Sequence, residues 1–189
     1  MNLKWKCFFS FMAYSGLRVG EVCKLKTTDI DFEQDAFYVN TEKQCQPVKD
    51  YMPMSPALAF SVRIYTRKNK DKLERVDGKW LFPQRYSTEP VSTKQARDVF
   101  SEVRRLMAID KTYATANDAL NPCQSQRGAR LLYNYTPHSL RHWFRYKLDK
   151  ANVPFNLAEE LMRHSLQRSM GYGKYSLAEK KEAILKTFG

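Results

Sequence analysis

The sequence has few of the residues that build metal sites, disulfide frameworks or membrane spans. It contains four cysteines and three histidines in 189 residues. No cysteine pair has the C-x-x-C spacing and the histidines complete no zinc pattern, so we expect four reduced thiols and no metal. No run of about 18 apolar residues occurs, which predicts no membrane span. Residues 1–12 lack a small-residue cleavage site and are interpreted as a core helix rather than a signal peptide.

Acidic residues are also scarce relative to basic ones. The chain has 32 lysines and arginines against 20 aspartates and glutamates, a formal charge of +12. This excess favours a polyanionic partner, with nucleic acid as the first candidate and an anionic membrane surface as the second. A merely soluble basic protein is the alternative. Because 43% of the residues are apolar, the composition is typical of a folded domain.

Hydrophobic periodicity predicts a mixed, mainly helical α+β domain with a small antiparallel sheet. Phe37 and Val39 alternate with Ala36, Tyr38 and Asn40 within 29–40, as in a strand. Tyr51 and Met52 indicate a second strand, and the polar segment 43–50 would be the turn between the two. The predicted helices span 1–12, 17–25, 55–72, 92–107, 137–151, 155–164 and 176–188. Residues 108–134 have weak periodicity and are predicted to be a surface insertion.

Three segments contain residues of the types that can take part in catalysis. The first is S-G-L-R-V-G-E-V at 15–22, the second is P-H-S-L-R-H at 137–142, and the third is L-M-R-H at 161–164, followed by Tyr172. Each segment alone is a weak signal, because a turn arginine, a helical H-x-x-R pair and a terminal tyrosine usually have structural roles.

Together and in this order, the segments resemble the catalytic domain of the tyrosine recombinases, the phage-type integrase family. That family has an arginine in an S/T-G-x-R-x-x-E box, a lysine in a β-hairpin, an H-x-L-R-H box, an L-G-H box and a tyrosine. The match spans 15–175. The resemblance implies the family's catalytic-domain fold and site-specific recombination of double-stranded DNA through a 3′-phosphotyrosine.

The resemblance also implies a role for each matching residue. Arg18 and Arg141 would bind the phosphate, since a guanidinium gives charged, bidentate contacts to the oxygens on which negative charge develops. His138 and His164 would donate hydrogen bonds to the same phosphate, and His138 could also accept the tyrosine proton. No ATP, metal or other cofactor is required, because the phosphotyrosine stores the bond energy.

The lysine and the tyrosine each have a rival. Lys43 follows the first predicted strand, where the family places its lysine, and Lys49 is the alternative. Tyr172 lies in a segment that resembles the family's T-x-x-Y-T-K/H-x-S, and its flanking glycines would give it backbone freedom. It is the predicted nucleophile, although it follows His164 by eight residues where nine is commoner. Tyr175 is expected to pack.

Other residues of these boxes are expected to support the site. Glu21 lies on the same helical face as Arg18 and would buttress the site through Arg18 or His142, or form a plain helix salt bridge. His142 is expected to support the catalytic residues rather than to take part in the reaction itself. Arg163 stands where the family has glycine, which affects how the local turn forms.

The resemblance leads to further expectations about the whole protein. Residues 1–189 would form one catalytic domain, without the N-terminal helical domain that clamps DNA in relatives. A cytoplasmic, DNA-associated protein is expected, monomeric without DNA and tetrameric on it, with the C-terminal helix exchanged between protomers. Two alternatives stay open: a type IB topoisomerase or telomere resolvase with the same chemistry, and a DNA-binding module without activity.

Overall fold

The computed structural model describes residues 2–40, 49–75, 79–85, 87–107, 112–113, 132–133, 135–163 and 175–189. The predicted mainly helical fold with a small antiparallel sheet is confirmed. The helices are α1 Leu3–Ser15, α2 Val19–Cys23, α3 Pro56–Lys68, α4 Lys70–Arg75, α5 Thr93–Leu106, α6 Pro137–Lys150, α7 Phe155–Leu161 and α8 Leu177–Phe188. The strands are β1 Ile30–Asp31, β2 Ala36–Asn40, β3 Lys49–Pro53, β4 Thr112–Tyr113 and β5 Leu132–Tyr133.

Helix α1 is the centre of the hydrophobic core and packs against α3 and α6. Its Phe8 and Phe11 are fully buried and make edge contacts with Phe82, at centroid distances of 5.3 and 6.0 Å. Phe11 also contacts Phe37 of β2. Fully burying each of these rings contributes about 1.5–3 kcal/mol, so α1 is the fixed element from which the following turn projects.

The three-stranded sheet has the order β1-β2-β3, and all its pairs are antiparallel. The predicted hairpin is present, with Phe37 opposite Met52 and Asn40 opposite Lys49. Phe37 and Met52 are both buried, because side chains at alternate positions of β2 and β3 share the core face. The two strands of the hairpin therefore join the hydrophobic core.

Two predicted elements differ from the observed ones. The helix predicted over 55–72 is two helices, α3 and α4, separated at Asn69. The Asn69 side-chain amide donates to the carbonyl of Tyr65 at 2.9 Å, and such local bonds compete with continued helix formation. Within 108–134 the structure describes only β4 and β5, which pair antiparallel.

Helices α6, α7 and α8 complete the domain around α1. Thr136 precedes α6 and Pro137 occupies its first turn, as predicted. Helix α8 begins after Ser176, whose hydroxyl accepts from the Glu179 amide at 3.3 Å in the predicted capping box. It packs against β3, α6 and α3. Within the described ranges, no helix is both long and apolar enough to cross a membrane.

Candidate active site

The turn between α1 and α2 places Arg18 at the surface of the core. Gly16 ends α1 in the left-handed region, with φ 62° and its amide bonded to the Met12 carbonyl. A side chain at Gly16 would lie 2.5 Å from a ring carbon of Phe144 in α6. Glycine is therefore required for both the turn and the close approach of α6.

Arg18 and Glu21 are bonded at two points across the first turn of α2. The Arg18 backbone amide donates to Glu21 Oε2 at 2.6 Å, and its Nη1 donates to Oε1 at 3.1 Å. The Arg18 side chain is 29% exposed while that of Glu21 is 2% exposed. Glu21 therefore holds Arg18 from the buried side, and the rest of the guanidinium faces outward.

Arg141 comes from α6 and is fully buried. Its Nη1 donates to the carbonyl of Gly16, and its Nη2 donates to the carbonyl of Met162 at the end of α7. Arg141 thus links three parts of the chain: the turn before Arg18, helix α6 and the end of α7.

Arg163 is a fourth charged residue at this point. It has φ 52°, a left-handed backbone that glycine adopts without strain. Its side chain is 1% exposed and donates from Nη2 to Glu21 Oε2 at 3.0 Å and to the Gly16 carbonyl at 3.3 Å. The turn expected of the family glycine therefore forms here with arginine in its place, and its side chain enters the site.

Positive charge exceeds negative charge in this cluster. Burial raises the pKa of the Glu21 carboxyl, but the charge of Arg163, the Arg18 amide and the charges of Arg18 and Arg141 together bring it below its usual value. Burial, with the charges of Arg163 and Arg18, lowers the pKa of Arg141 to about 9. Both groups remain ionised at neutral pH, so three guanidiniums share one carboxylate, which favours an incoming anion.

Both predicted histidines of α6 are described and exposed. The rings of His138 and His142 meet edge to face, with centroids 4.6 Å apart. His138 lines an open pocket of about 390 Å³ together with Arg18. The other residues of this pocket include Arg97 and Arg104 of α5. The structure therefore brings Arg18 and His138 to one cavity that is rich in donors.

Three predicted site residues, Lys43, His164 and Tyr172, lie outside the described residues. The rival lysine, Lys49, is the first residue of β3. The rival tyrosine, Tyr175, is half-buried and packs against the core, as expected of it. Its amide donates to Glu160 Oε2 at 3.2 Å, so the chain is anchored directly after the segment with the predicted nucleophile.

The sequence did not identify the pocket arginines of α5 or the site contact of Arg163. Arg97 and Arg104 are seven residues apart, a spacing that puts two side chains on one helical face. Their spacing could have indicated a shared surface, but no local pattern shows that this surface faces Arg18. Arg163 was visible only as a departure from the family glycine.

A sequence model of the phage integrase family matches residues 1–176 of this chain. The tyrosine recombinase XerA of Pyrococcus horikoshii is 27% identical over 187 residues, which cover 98% of this chain and 55% of that protein. The chain thus spans about half the length of the relatives it matches.

Solved structures of recombinases share the fold. The integrase of mycobacterium phage Brujita has a TM-score of 0.69 at 18% identity, over 99% of this chain and 52% of that one. The integrase of transposon Tn1549, solved in complex with circular intermediate DNA, has a TM-score of 0.59 at 18% identity, over 95% of this chain and 56% of that one. The fold implied by the sequence resemblance is therefore confirmed.

Proposed function

This chain belongs to the phage integrase family, and we propose that it acts as a site-specific DNA recombinase that breaks and rejoins strands through a 3′-phosphotyrosine. The observation that carries the proposal is the convergence of Arg18, Glu21 and Arg141 at one turn, although the two arginine boxes lie far apart in the sequence. Such a buried excess of positive charge is suited to a phosphate whose oxygens gain negative charge during reaction.

The proposed reaction has two steps: the first cleaves a DNA strand, and the second rejoins it to another strand. In the first, the Tyr172 oxygen bonds to phosphorus, the bond to the 5′ oxygen breaks, and His138 accepts the tyrosine proton. Lys43, or its rival Lys49, gives a proton to the departing 5′ oxygen. In the second step, the 5′-hydroxyl of another strand attacks the phosphotyrosine and gives its proton to the lysine, and the tyrosine leaves with the proton returned by His138.

Each described residue would have a defined role in these steps. Arg18 would contact a non-bridging oxygen with the part of its guanidinium that Glu21 leaves exposed. Arg141 would maintain the positive potential and hold the turn through the Gly16 carbonyl. His138, in the same pocket as Arg18, would reach the phosphate from α6, and His142 would orient it through their ring contact.

Double-stranded DNA is the proposed partner. The charge of +12 and the arginine-lined pocket support it, and the Tn1549 integrase, whose fold is similar, was solved with DNA. Contacts to phosphates would dominate the affinity, so binding would weaken steeply as salt rises. We propose a cytoplasmic, DNA-associated location for the protein.

We propose that the chain is a monomer without DNA and a tetramer on two DNA sites. Helix α8 supports this proposal, because it covers its own domain with one side. Ile184 is buried and Phe188 stacks on Phe144 with centroids 5.7 Å apart. The same contacts could be made on a neighbouring protomer in exchange. Residues 1–189 would form the catalytic domain of this assembly.

Incubation with a nicked duplex tests the activity, because loss of the short fragment beyond the nick traps a covalent adduct. We expect a protein–DNA adduct that forms in the presence of a chelator and without ATP. Relaxation of supercoiled plasmid without any specific site would instead indicate a type IB topoisomerase. Tight, salt-dependent DNA binding with no adduct on any substrate would contradict catalysis and support a binding module.

A further inference from the structure

Arg163 combines a backbone conformation suited to glycine with a completely buried charged side chain. Its φ of 52° is uncommon for a residue with a Cβ, and its amide donates to the Glu160 carbonyl at 2.9 Å to close the end of α7. A glycine would make the same turn without strain. The side chain must therefore form interactions that offset the strained turn.

The guanidinium of Arg163 connects the end of α7 to the turn before Arg18. Nη1 donates to the carbonyls of Leu161 at 3.3 Å and Ser15 at 3.5 Å. Nη2 donates to Gly16 and to Glu21. Among the described residues, Nε is buried and has no hydrogen-bond partner. The hydrogen bonds of the Arg163 guanidinium therefore go to backbone carbonyls of the turn and of α7, and to the Glu21 carboxylate.

Glu21 transmits this contact to Arg18. Its Oε2 accepts from both the Arg163 Nη2 and the Arg18 amide, at 3.0 and 2.6 Å. Its Oε1 accepts from the Arg18 guanidinium at 3.1 Å. If Arg163 were removed, the Glu21 carboxylate would lose the partner that fixes it from the buried side, and its reorientation would change the direction of the Arg18 guanidinium bonded to it.

We propose that Arg163 is a positioning residue for DNA cleavage: through Glu21 and the Gly16 carbonyl, it holds Arg18 in the orientation that binds the scissile phosphate. The inference rests on the proposed recombinase function. Arg163 is also the last described residue before His164 and Tyr172 in the sequence. The family glycine has no side chain with which to hold Arg18, so the contact is specific to chains with arginine here.

The first test compares Arg163→Gly with Arg163→Lys in the 189-residue chain. Glycine removes the guanidinium and relieves the backbone, so we expect the domain to stay folded. Single-turnover adduct formation should fall by up to about 100-fold, the loss that a misplaced reacting group can cause, while DNA affinity changes less than about twofold. Lysine keeps a positive charge and should restore part of the rate. Arg63→Gln, which removes an arginine paired with Asp35, should leave the rate unchanged.

The second test uses pH and does not depend on cleavage. Arg18, Arg141 and Arg163 face Glu21, and Asp50 and Glu159 in turn face Arg163 and Arg141. Removal of Arg163 should raise the titration midpoint of the Glu21 carboxyl, measured by ¹³C NMR. The Arg18 amide resonance should shift with the same midpoint, because that amide donates to Glu21 Oε2.

The outcomes separate this inference from the proposed function. Absence of an adduct with the wild-type chain overturns the proposed function, while the Glu21 and Arg18 titrations still show whether Arg163 controls the contact between Glu21 and Arg18. Unchanged titrations in Arg163→Gly, or an unchanged cleavage rate beside an active wild type, overturn the positioning role. If glycine prevents folding, Glu21→Gln takes its place, because it alters the acceptor of the Arg163 contact. Full cleavage activity of that folded variant overturns the role.

Discussion

Arg141 and Arg163 donate hydrogen bonds to the same acceptor, the carbonyl oxygen of Gly16. Two buried cations, one within α6 and one just after α7, thus converge on the turn that precedes Arg18. The arrangement depends on the conformation of Gly16, because the left-handed turn directs its carbonyl at both guanidiniums.

Substitution of Gly16 by alanine should therefore destabilise the protein. The new Cβ would meet Phe144 at 2.5 Å in a left-handed turn, and together the strain and overpacking should cost roughly 2–4 kcal/mol. Chemical denaturation measures this loss. Gly20→Ala is the matched control, since Gly20 lies within α2 and does not have a positive φ. A loss as large in the control would contradict the account of the turn.

The buried ion pair predicts how stability changes at acidic pH. The pKa of Glu21 is lowered in the folded protein, so its contribution is fully present above the usual carboxyl range and is lost as pH falls through the lowered value. Glu21→Gln should lose roughly 1–3 kcal/mol at neutral pH and show less acid sensitivity. Parallel stability–pH curves for the two proteins would show that Glu21 is not the source.

The pocket arginine Arg97 should contribute to DNA binding. It lines the cavity shared by Arg18 and His138, where its positive charge would attract a DNA phosphate. Arg97→Gln should weaken binding at low salt and reduce the slope of log K against log salt by about one. Arg63→Gln serves as control, because Arg63 is paired with Asp35. An equal change of slope in both variants would argue against the pocket.

Helix α8 should be held to its own domain by its last turn in the absence of DNA. Phe188 stacks on Phe144 and makes an edge contact with Tyr14 at 5.4 Å. Phe188→Ala should destabilise the isolated chain by about 1–3 kcal/mol, measured by thermal denaturation. Leu185→Ala, at a position that is 52% exposed on the same helix, should change stability by less than about 0.5 kcal/mol. Equal effects would show that α8 does not pack here.

Much of the fold could be predicted because its local signals agree. The cap Ser176 with Glu179, the turn at Gly16 and the paired strands around Phe37 each combine a sequence pattern with a physical cause. The break at Asn69 was not predictable from periodicity, since the helical pattern continues through it. There a side-chain amide competes for the Tyr65 carbonyl.

The site was predictable in its residue types but not in its contacts. Arg18 and Arg141 stand in recognisable boxes, whereas the burial of Arg141 against two backbone carbonyls depends on long-range packing. The side chain of Arg163 reaches Glu21 from a distant segment. A departure from a family pattern indicates that something differs, and only the fold shows which partner the new side chain contacts.

Covalent capture with Tyr172→Phe and Tyr175→Phe tests the central claim most directly. The nicked duplex is incubated with each variant and with the wild-type chain, and adducts are separated on a denaturing gel. We expect the wild type and Tyr175→Phe to form the adduct and Tyr172→Phe to form none while it still binds DNA. Adduct formation by Tyr172→Phe, or its loss only in Tyr175→Phe, would contradict the assignment of the nucleophile.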